Sequence, residues 1–126
     1  LQYEKALFEP QPRVEEGKRL GRGGVSAMMD DSDGIALSLY DLASVNDCGF
    51  SLDSAKLPRP ARIPGDQARE LALFGGGDYE LIFTLPPKRH PVEGVTYTII
   101  GTTIEENSVL IDGLPLEKRG YQHRWQ

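Results

Sequence analysis

Hydrophobic and polar positions alternate most clearly where Tyr79, Leu81, Phe83 and Leu85 interleave with Glu80, Ile82 and Thr84, a period-2 run that predicts a strand. Three other segments repeat with helical spacing. Residues 13–20 predict a short helix stopped by Gly21-Arg22-Gly23-Gly24. A helix from Asp33 or Gly34 to Asn46 is expected to turn Ile35, Leu39, Leu42 and Ala43 inward. A third, over residues 65–74, is expected to bury Ala68, Leu71 and Ala72 before it stops at Gly75-Gly76-Gly77. The short apolar run 25–29, the alternating run 50–53, and residues 95–102 and 108–111 predict further strands, the last turning at Asp112-Gly113. Three prolines make residues 57–64 a loop, and Pro86, Pro87 and Pro91 leave little room for a helix before Val95. Strands interleaved with helices indicate an α/β (α+β) domain around one sheet.

A chain of 126 residues suits one domain with its own core, and 39% hydrophobic with 26% charged residues is the balance of a globular protein. No apolar run reaches the length of a transmembrane helix, and Leu1-Gln2-Tyr3-Glu4-Lys5 lacks the pattern of a signal peptide, so the expected location is the cytoplasm. The opening through Pro10-Gln11-Pro12 reads as a linker, and a start at Leu rather than Met is expected of a fragment or processed product. A net charge of −5 argues against a nucleic-acid partner, which needs a basic surface. Basic residues gather only at the end, in Lys118, Arg119, His123 and Arg124, as a solvated tail or a phosphate contact. The single cysteine, Cys48, has no partner for a disulfide and is expected to be a small core residue. His90 and His123 have neither zinc-site spacing nor triad context.

Two stretches carry candidate chemistry. In Asp30-Asp31-Ser32-Asp33-Gly34, three carboxylates and a hydroxyl lie where a strand is expected to become a helix. Caps and Asp-Gly turns alone can account for such residues. Three carboxylates exceed what a cap needs, however, and repel one another without a cation; hard oxygen ligands suit Mg²⁺. The second stretch, Gly75-Gly76-Gly77-Asp78-Tyr79-Glu80-Leu81, runs three glycines into a strand. It reads either as a loop that lets backbone amides approach a phosphate or as a plain helix-to-strand turn.

Taken together, Asp30-Asp31-Ser32-Asp33-Gly34, the Gly-Gly-x-Asp-Tyr-Glu-Leu of residues 75–81 and the late Gly120-Tyr121-Gln122-His123 resemble the C-terminal domain of thiamine-monophosphate kinase, a family of the aminoimidazole ribonucleotide synthase-like superfamily. Pro10-Gln11-Pro12-Arg13-Val14-Glu15-Glu16-Gly17 is similar to the segment joining that family's two domains. The resemblance implies a single mixed sheet flanked by helices, like the superfamily's C-terminal domain, with residues 1–12 as interdomain linker and 13–126 as the domain. It implies ATP- and Mg²⁺-dependent phosphorylation of thiamine phosphate to thiamine diphosphate by direct phosphoryl transfer. Asp30 and Asp33 match magnesium ligands, Ser32 a nucleotide contact, and Tyr121 an aromatic residue that meets thiamine phosphate, whose thiazolium suits a ring face. Asp31 falls at a variable position and receives no role. Gly77 occupies a substrate-contact position where the family usually has Glu, and the proline-rich residues 86–94 replace a usual helix.

The partners implied are thiamine phosphate, an N-terminal domain of the same polypeptide, and a second copy in a homodimer formed through that domain. Because most of the family's metal aspartates lie in that domain, the isolated chain is expected to be inactive. Two alternatives stand beside this reading: a related ATP-dependent synthase domain, which would share the aspartates, and a non-catalytic interaction module, which the glycine at 77 favours.

Overall fold

The computed structural model describes residues 13–58, 63–75 and 80–120. In chain order its elements are α1 (Val14–Arg22), β1 (Ala27–Asp30), α2 (Ile35–Ser44), β2 (Gly49–Leu52), α3 (Gly65–Phe74), β3 (Leu81–Thr84), β4 (Gly101–Ile104), β5 (Val109–Ile111) and β6 (Leu114–Pro115), with single 3₁₀ turns at Ser54–Lys56 and Pro87–Arg89. They divide into two compact units, Leu1–Ser32 with Gly77–Tyr97, and Asp33–Gly76 with Thr98–Gln126.

In the first unit, α1 forms where the sequence predicts it. Glu15 and Glu16 in its first turn and Arg19 and Arg22 in its last complement the helix dipole, and Leu20 is its buried residue. β1 and β3 pair antiparallel, with Ala27 opposite Thr84 and Asp30 opposite Leu81. Every residue of β3 is half-buried, so its apolar and polar positions do not separate into an inner and an outer face. Beyond the cis His90–Pro91 peptide, the Tyr97 hydroxyl accepts from the Val92 amide at 3.1 Å and lies 2.5 Å from His90 Nδ1. The Tyr97 ring meets that of Phe83 edge-on at 5.2 Å. His90 thus takes part in an aromatic contact on a loop, its ring 5.5 Å from that of Tyr97.

The second unit holds most of the core. Its sheet runs β4-β2-β5-β6, with β2 antiparallel to β4 and parallel to β5. Phe50 and Leu52 alternate inward on β2, and Val109 and Ile111 do so on β5. α2 buries Ala36, Leu37, Ser38, Leu39, Leu42 and Ala43, which is more of its circumference than an amphipathic surface helix covers. One side chain gathers carbonyls at its C-terminus and in the turn that follows: Asn107 Nδ2 lies 2.7, 3.0 and 2.9 Å from the carbonyl oxygens of Ala43, Asn46 and Cys48. Asp112 and Gly113, at φ 51° and 81°, make the tight turn between β5 and β6. The Asp112 carboxylate also accepts from the Ser54 amide at 3.0 Å and the Ser54 hydroxyl at 2.5 Å. Those two bonds hold its pKa below the usual aspartate value, the hydroxyl contributing most.

The α/β class and the mixed sheet stand, and four expectations are corrected. The strands among the described residues form two sheets, one of two strands and one of four, rather than a single sheet. On α3 the buried residues are Ala68 and Leu73, while Leu71 is 49% exposed. Leu71, Ala72 and Leu73 are all apolar, so periodicity admits either side of the helix, and residues two apart point about 200° from each other. The strand expected over residues 95–102 joins the ladder only at its end: Ile100 accepts from the Asp53 amide at 3.0 Å and β4 begins at Gly101. Cys48 is half-buried in the turn after α2 rather than a core residue.

Candidate functional site

The two motif stretches meet in the first unit through backbone pairing. Asp30, the last residue of β1, stands opposite Leu81, and the Asp31 amide donates to the Glu80 carbonyl at 2.9 Å. The start of the aspartate-rich segment and the start of β3, some fifty positions apart in sequence, are thereby neighbours in one ladder. Asp30 is exposed, Ser32 half-buried and Asp31 only 6% exposed. Above this end of the ribbon Arg13 grips the Glu80 carboxylate, with Nη2 at 2.9 Å from Oε1 and Nε at 3.2 Å from Oε2. The forked geometry raises the Arg13 pKa, chiefly through the hydrogen bonds to Glu80. Glu80 is therefore a structural partner of Arg13, so that the linker-like motif is tied to the glycine-rich one.

In the second unit, Asp33 is exposed and precedes Gly34, the N-cap of α2. Gly34 has φ 94° and ψ 157°, a region open essentially to glycine alone. A side chain there would also crowd the backbone at the end of α3, at 3.1 Å from the Gly75 carbonyl oxygen and 3.2 Å from that of Leu73. The Gly34 carbonyl accepts from both the Ser38 amide, at 3.1 Å, and the Ser38 hydroxyl, at 2.8 Å. α2 has no side-chain cap and no acidic residue in its first turn. The capping explanation of the aspartate segment is thus not realised: Asp33 stands outside the helix, and the turn is made by glycine and backbone.

Of the sequence-predicted site residues, Asp30 and Ser32 lie in the first unit and Asp33 in the second. Gly77 and Tyr121, together with the linker over residues 1–12 and His123, lie outside the described residues. Asp31 is buried whereas Asp30 and Asp33 are exposed, and among the described residues no three His, Cys, Asp or Glu side chains form a group able to hold a metal. What Asp30 and Asp33 offer is one exposed carboxylate each. Mg²⁺ characteristically takes one or two protein carboxylates and completes its octahedron with water and phosphate oxygens, so these donors fit that ion as partial ligand sets.

Sequence reasoning missed the role of the segment after β6. Arg119, read as tail or phosphate contact, is engaged in structure. It makes a forked pair with Glu70 of α3, with Nη2 at 2.8 Å from Oε2, and its Nε lies 2.6 Å from a Glu117 oxygen. Its guanidinium also lies 3.7 Å from the centre of the Phe74 ring. These bonds raise the Arg119 pKa and hold that of Glu70 below the ordinary glutamate value. Glu70 and Phe74 are four apart on one helix face, which is the only sequence signal that could have pointed to this seat.

No family model matches the chain. A thiamine-monophosphate kinase of Methanospirillum hungatei is 42% identical over 121 residues, which is 96% of this chain and 42% of that protein. The thiamine-monophosphate kinase of Escherichia coli K12 is 35% identical over 135 residues, covering 94% of this chain and 41% of its own length. Among solved structures, the thiamine-monophosphate kinase of Stenotrophomonas maltophilia superposes with a TM-score of 0.80 at 31% identity, over 89% of this chain and 39% of that one. AaThiL complexed with AMPPCP and TMP superposes at 0.83 with 29% identity, over 95% and 40%. The chain spans about two fifths of the length of the curated relatives it matches. Sustained identity along nearly all of its residues, together with the shared fold, makes the chain a homologue of the thiamine-monophosphate kinases, corresponding to the C-terminal part of that family's members.

Proposed function

We propose that the protein containing this chain transfers the γ-phosphoryl group of ATP to thiamine phosphate, giving thiamine diphosphate and ADP, and that this chain supplies part of the site. The observation carrying the reading is the 42% identity to a thiamine-monophosphate kinase over 96% of the chain, with the aspartate segment intact. The match to AaThiL complexed with AMPPCP, an ATP analogue, and TMP supports the same substrates.

Donor and acceptor are both anionic, and their repulsion is largest where water is excluded. Bound magnesium would supply the positive charge that offsets this repulsion. Asp30 and Asp33 would each serve as a magnesium ligand, and Ser32 would donate its hydroxyl to a nucleotide phosphate. Tyr121 would lay its ring against the thiazolium, and Gly77 would leave the room that a glutamate side chain fills elsewhere in the family. The N-terminal domain of the same polypeptide would complete the metal shell and form a homodimer, and the protein would work in the cytoplasm. Among the described residues no helix is long and apolar enough to cross a membrane.

The test is product analysis with the full-length protein, ATP, Mg²⁺ and thiamine phosphate. The reading predicts thiamine diphosphate and ADP in equal amounts and no free phosphate. Release of free phosphate with thiamine phosphate left unchanged would instead favour the related synthase chemistry, and no magnesium-dependent ATP binding would favour the non-catalytic module.

A further inference from the structure

The peptide backbone around Asp33 is bounded by two glycines of the second unit. Gly34 follows it with the conformation that only glycine adopts readily, seated against the end of α3 at Leu73, Phe74 and Gly75. Gly120 closes the other side: a methyl group there would overlap the Asp33 carbonyl oxygen and come within 2.8 Å of the Leu37 side chain on α2. After β6 the Leu116 amide still donates to the Val109 carbonyl of β5 at 2.9 Å; beyond it the segment that brings Gly120 to this place is coil, fastened largely by side chains. The Tyr40 hydroxyl donates to the Leu116 carbonyl, Leu116 is only 4% exposed, and Lys118 Nζ lies 5.7 Å above the Tyr40 ring. The last fastening before Gly120 is Arg119, forked onto Glu70, bonded to Glu117 and stacked on Phe74.

We infer that Arg119 is a positioning residue for the Asp33 carboxylate. It bolts the segment 116–120 to α3 so that Gly120 packs on the Asp33 carbonyl and fixes the direction in which that aspartate leaves the backbone. The inference rests on the proposed role of Asp33 as a magnesium ligand and adds a residue that touches neither metal nor substrate. Two features favour positioning over bulk stabilisation. Arg119 and Glu70 are about half exposed, at 47% and 53% of their side chains, and ion pairs of that exposure contribute little to folding. Their partners, by contrast, lie in the same turn of α3 whose end seats Gly34, so the one helix holds both walls around Asp33.

The experiment measures AMPPCP binding to the full-length protein by calorimetry across a magnesium titration, for wild type, Arg119→Ala, Arg119→Lys and Asp33→Asn, with thermal unfolding of each. Arg119→Ala is expected to raise the half-saturating magnesium concentration by about tenfold, the usual effect of losing a group that orients a metal ligand, with little change in Tm. Arg119→Lys should recover only part of this, since an ammonium keeps the charge but loses the fork and the stacking. An unchanged magnesium dependence in Arg119→Ala beside a shifted one in Asp33→Asn overturns the positioning role and leaves the metal ligand standing. An unchanged dependence in Asp33→Asn overturns both.

Discussion

The two halves of the aspartate segment are held by opposite means. Asp30 ends a strand, and its place is set by backbone ladder hydrogen bonds between β1 and β3, which any residue that tolerates extended backbone can make. Asp33 stands in a turn whose neighbours must be glycine, because backbone from α3 and from the segment after β6 comes within contact distance on both sides. Regular pairing tolerates substitution at many positions. Close backbone approach tolerates it at almost none. The second unit should therefore be far more sensitive to small changes near its aspartate than the first.

The largest effect on stability is expected where α3 packs. Leu73, 1% exposed, should lose about 2–5 kcal/mol of unfolding free energy when truncated to Ala, whereas Leu71→Ala should stay within about 0.5 kcal/mol. Urea denaturation of the pair reads this directly, and a larger loss for Leu71→Ala than for Leu73→Ala would mean that α3 presents its other side. Next, Gly34→Ala should cost about 1–3 kcal/mol from backbone conformation alone, with crowding against Leu73 and Gly75 added to it. If Gly34→Ala unfolds at the wild-type urea midpoint, the enclosed turn is not as described.

A step smaller, Asn107→Ala should cost about 1–3 kcal/mol by releasing three carbonyls between the last turn of α2 and β2, and hydrogen exchange should quicken there first. In the first unit, removing the Arg13 fork with Arg13→Ala should cost no more than about 1 kcal/mol, since more than a third of each side chain in the pair with Glu80 is exposed. A loss as large as that of Gly34→Ala would erase the contrast between the two units. The smallest effect is in pH dependence. Asp112 has its pKa lowered on folding by Ser54, so it contributes stability above the unfolded carboxyl value of about 4 and loses it as pH falls through the lower folded value. Asp112→Asn should flatten the fall of Tm below about pH 4 and leave its neutral-pH slope unchanged.

The same contrast explains what could be read from the chain alone. The three helices, the strand at Leu81 and the turn at Asp112-Gly113 all follow from local patterns, and each lies within a few residues of its expected bounds. The side of α3 that faces inward did not follow, because three consecutive apolar residues leave the choice to packing. Nor did the division into two sheets, which depends on pairing between distant strands. In the site, the residue types that suggest phosphate chemistry were legible at Asp30, Ser32 and Asp33, and the family resemblance rested on them. Their exposure was not, and neither was the burial of Asp31 between them. Arg119 looked like one charge in a basic tail because its partners, Glu70 and Phe74, are almost fifty residues away.

The central claim, that the aspartate segment serves magnesium-dependent phosphoryl transfer to thiamine phosphate, is tested most directly by steady-state kinetics. The full-length protein would be assayed for thiamine diphosphate formation as wild type, Asp30→Asn and Asp33→Asn, each checked for a native Tm. The account predicts that kcat/KM falls by about 100-fold or more in both variants, as expected when a metal's stabilisation of several kcal/mol is lost. Well-folded variants that form thiamine diphosphate at the wild-type rate would contradict it.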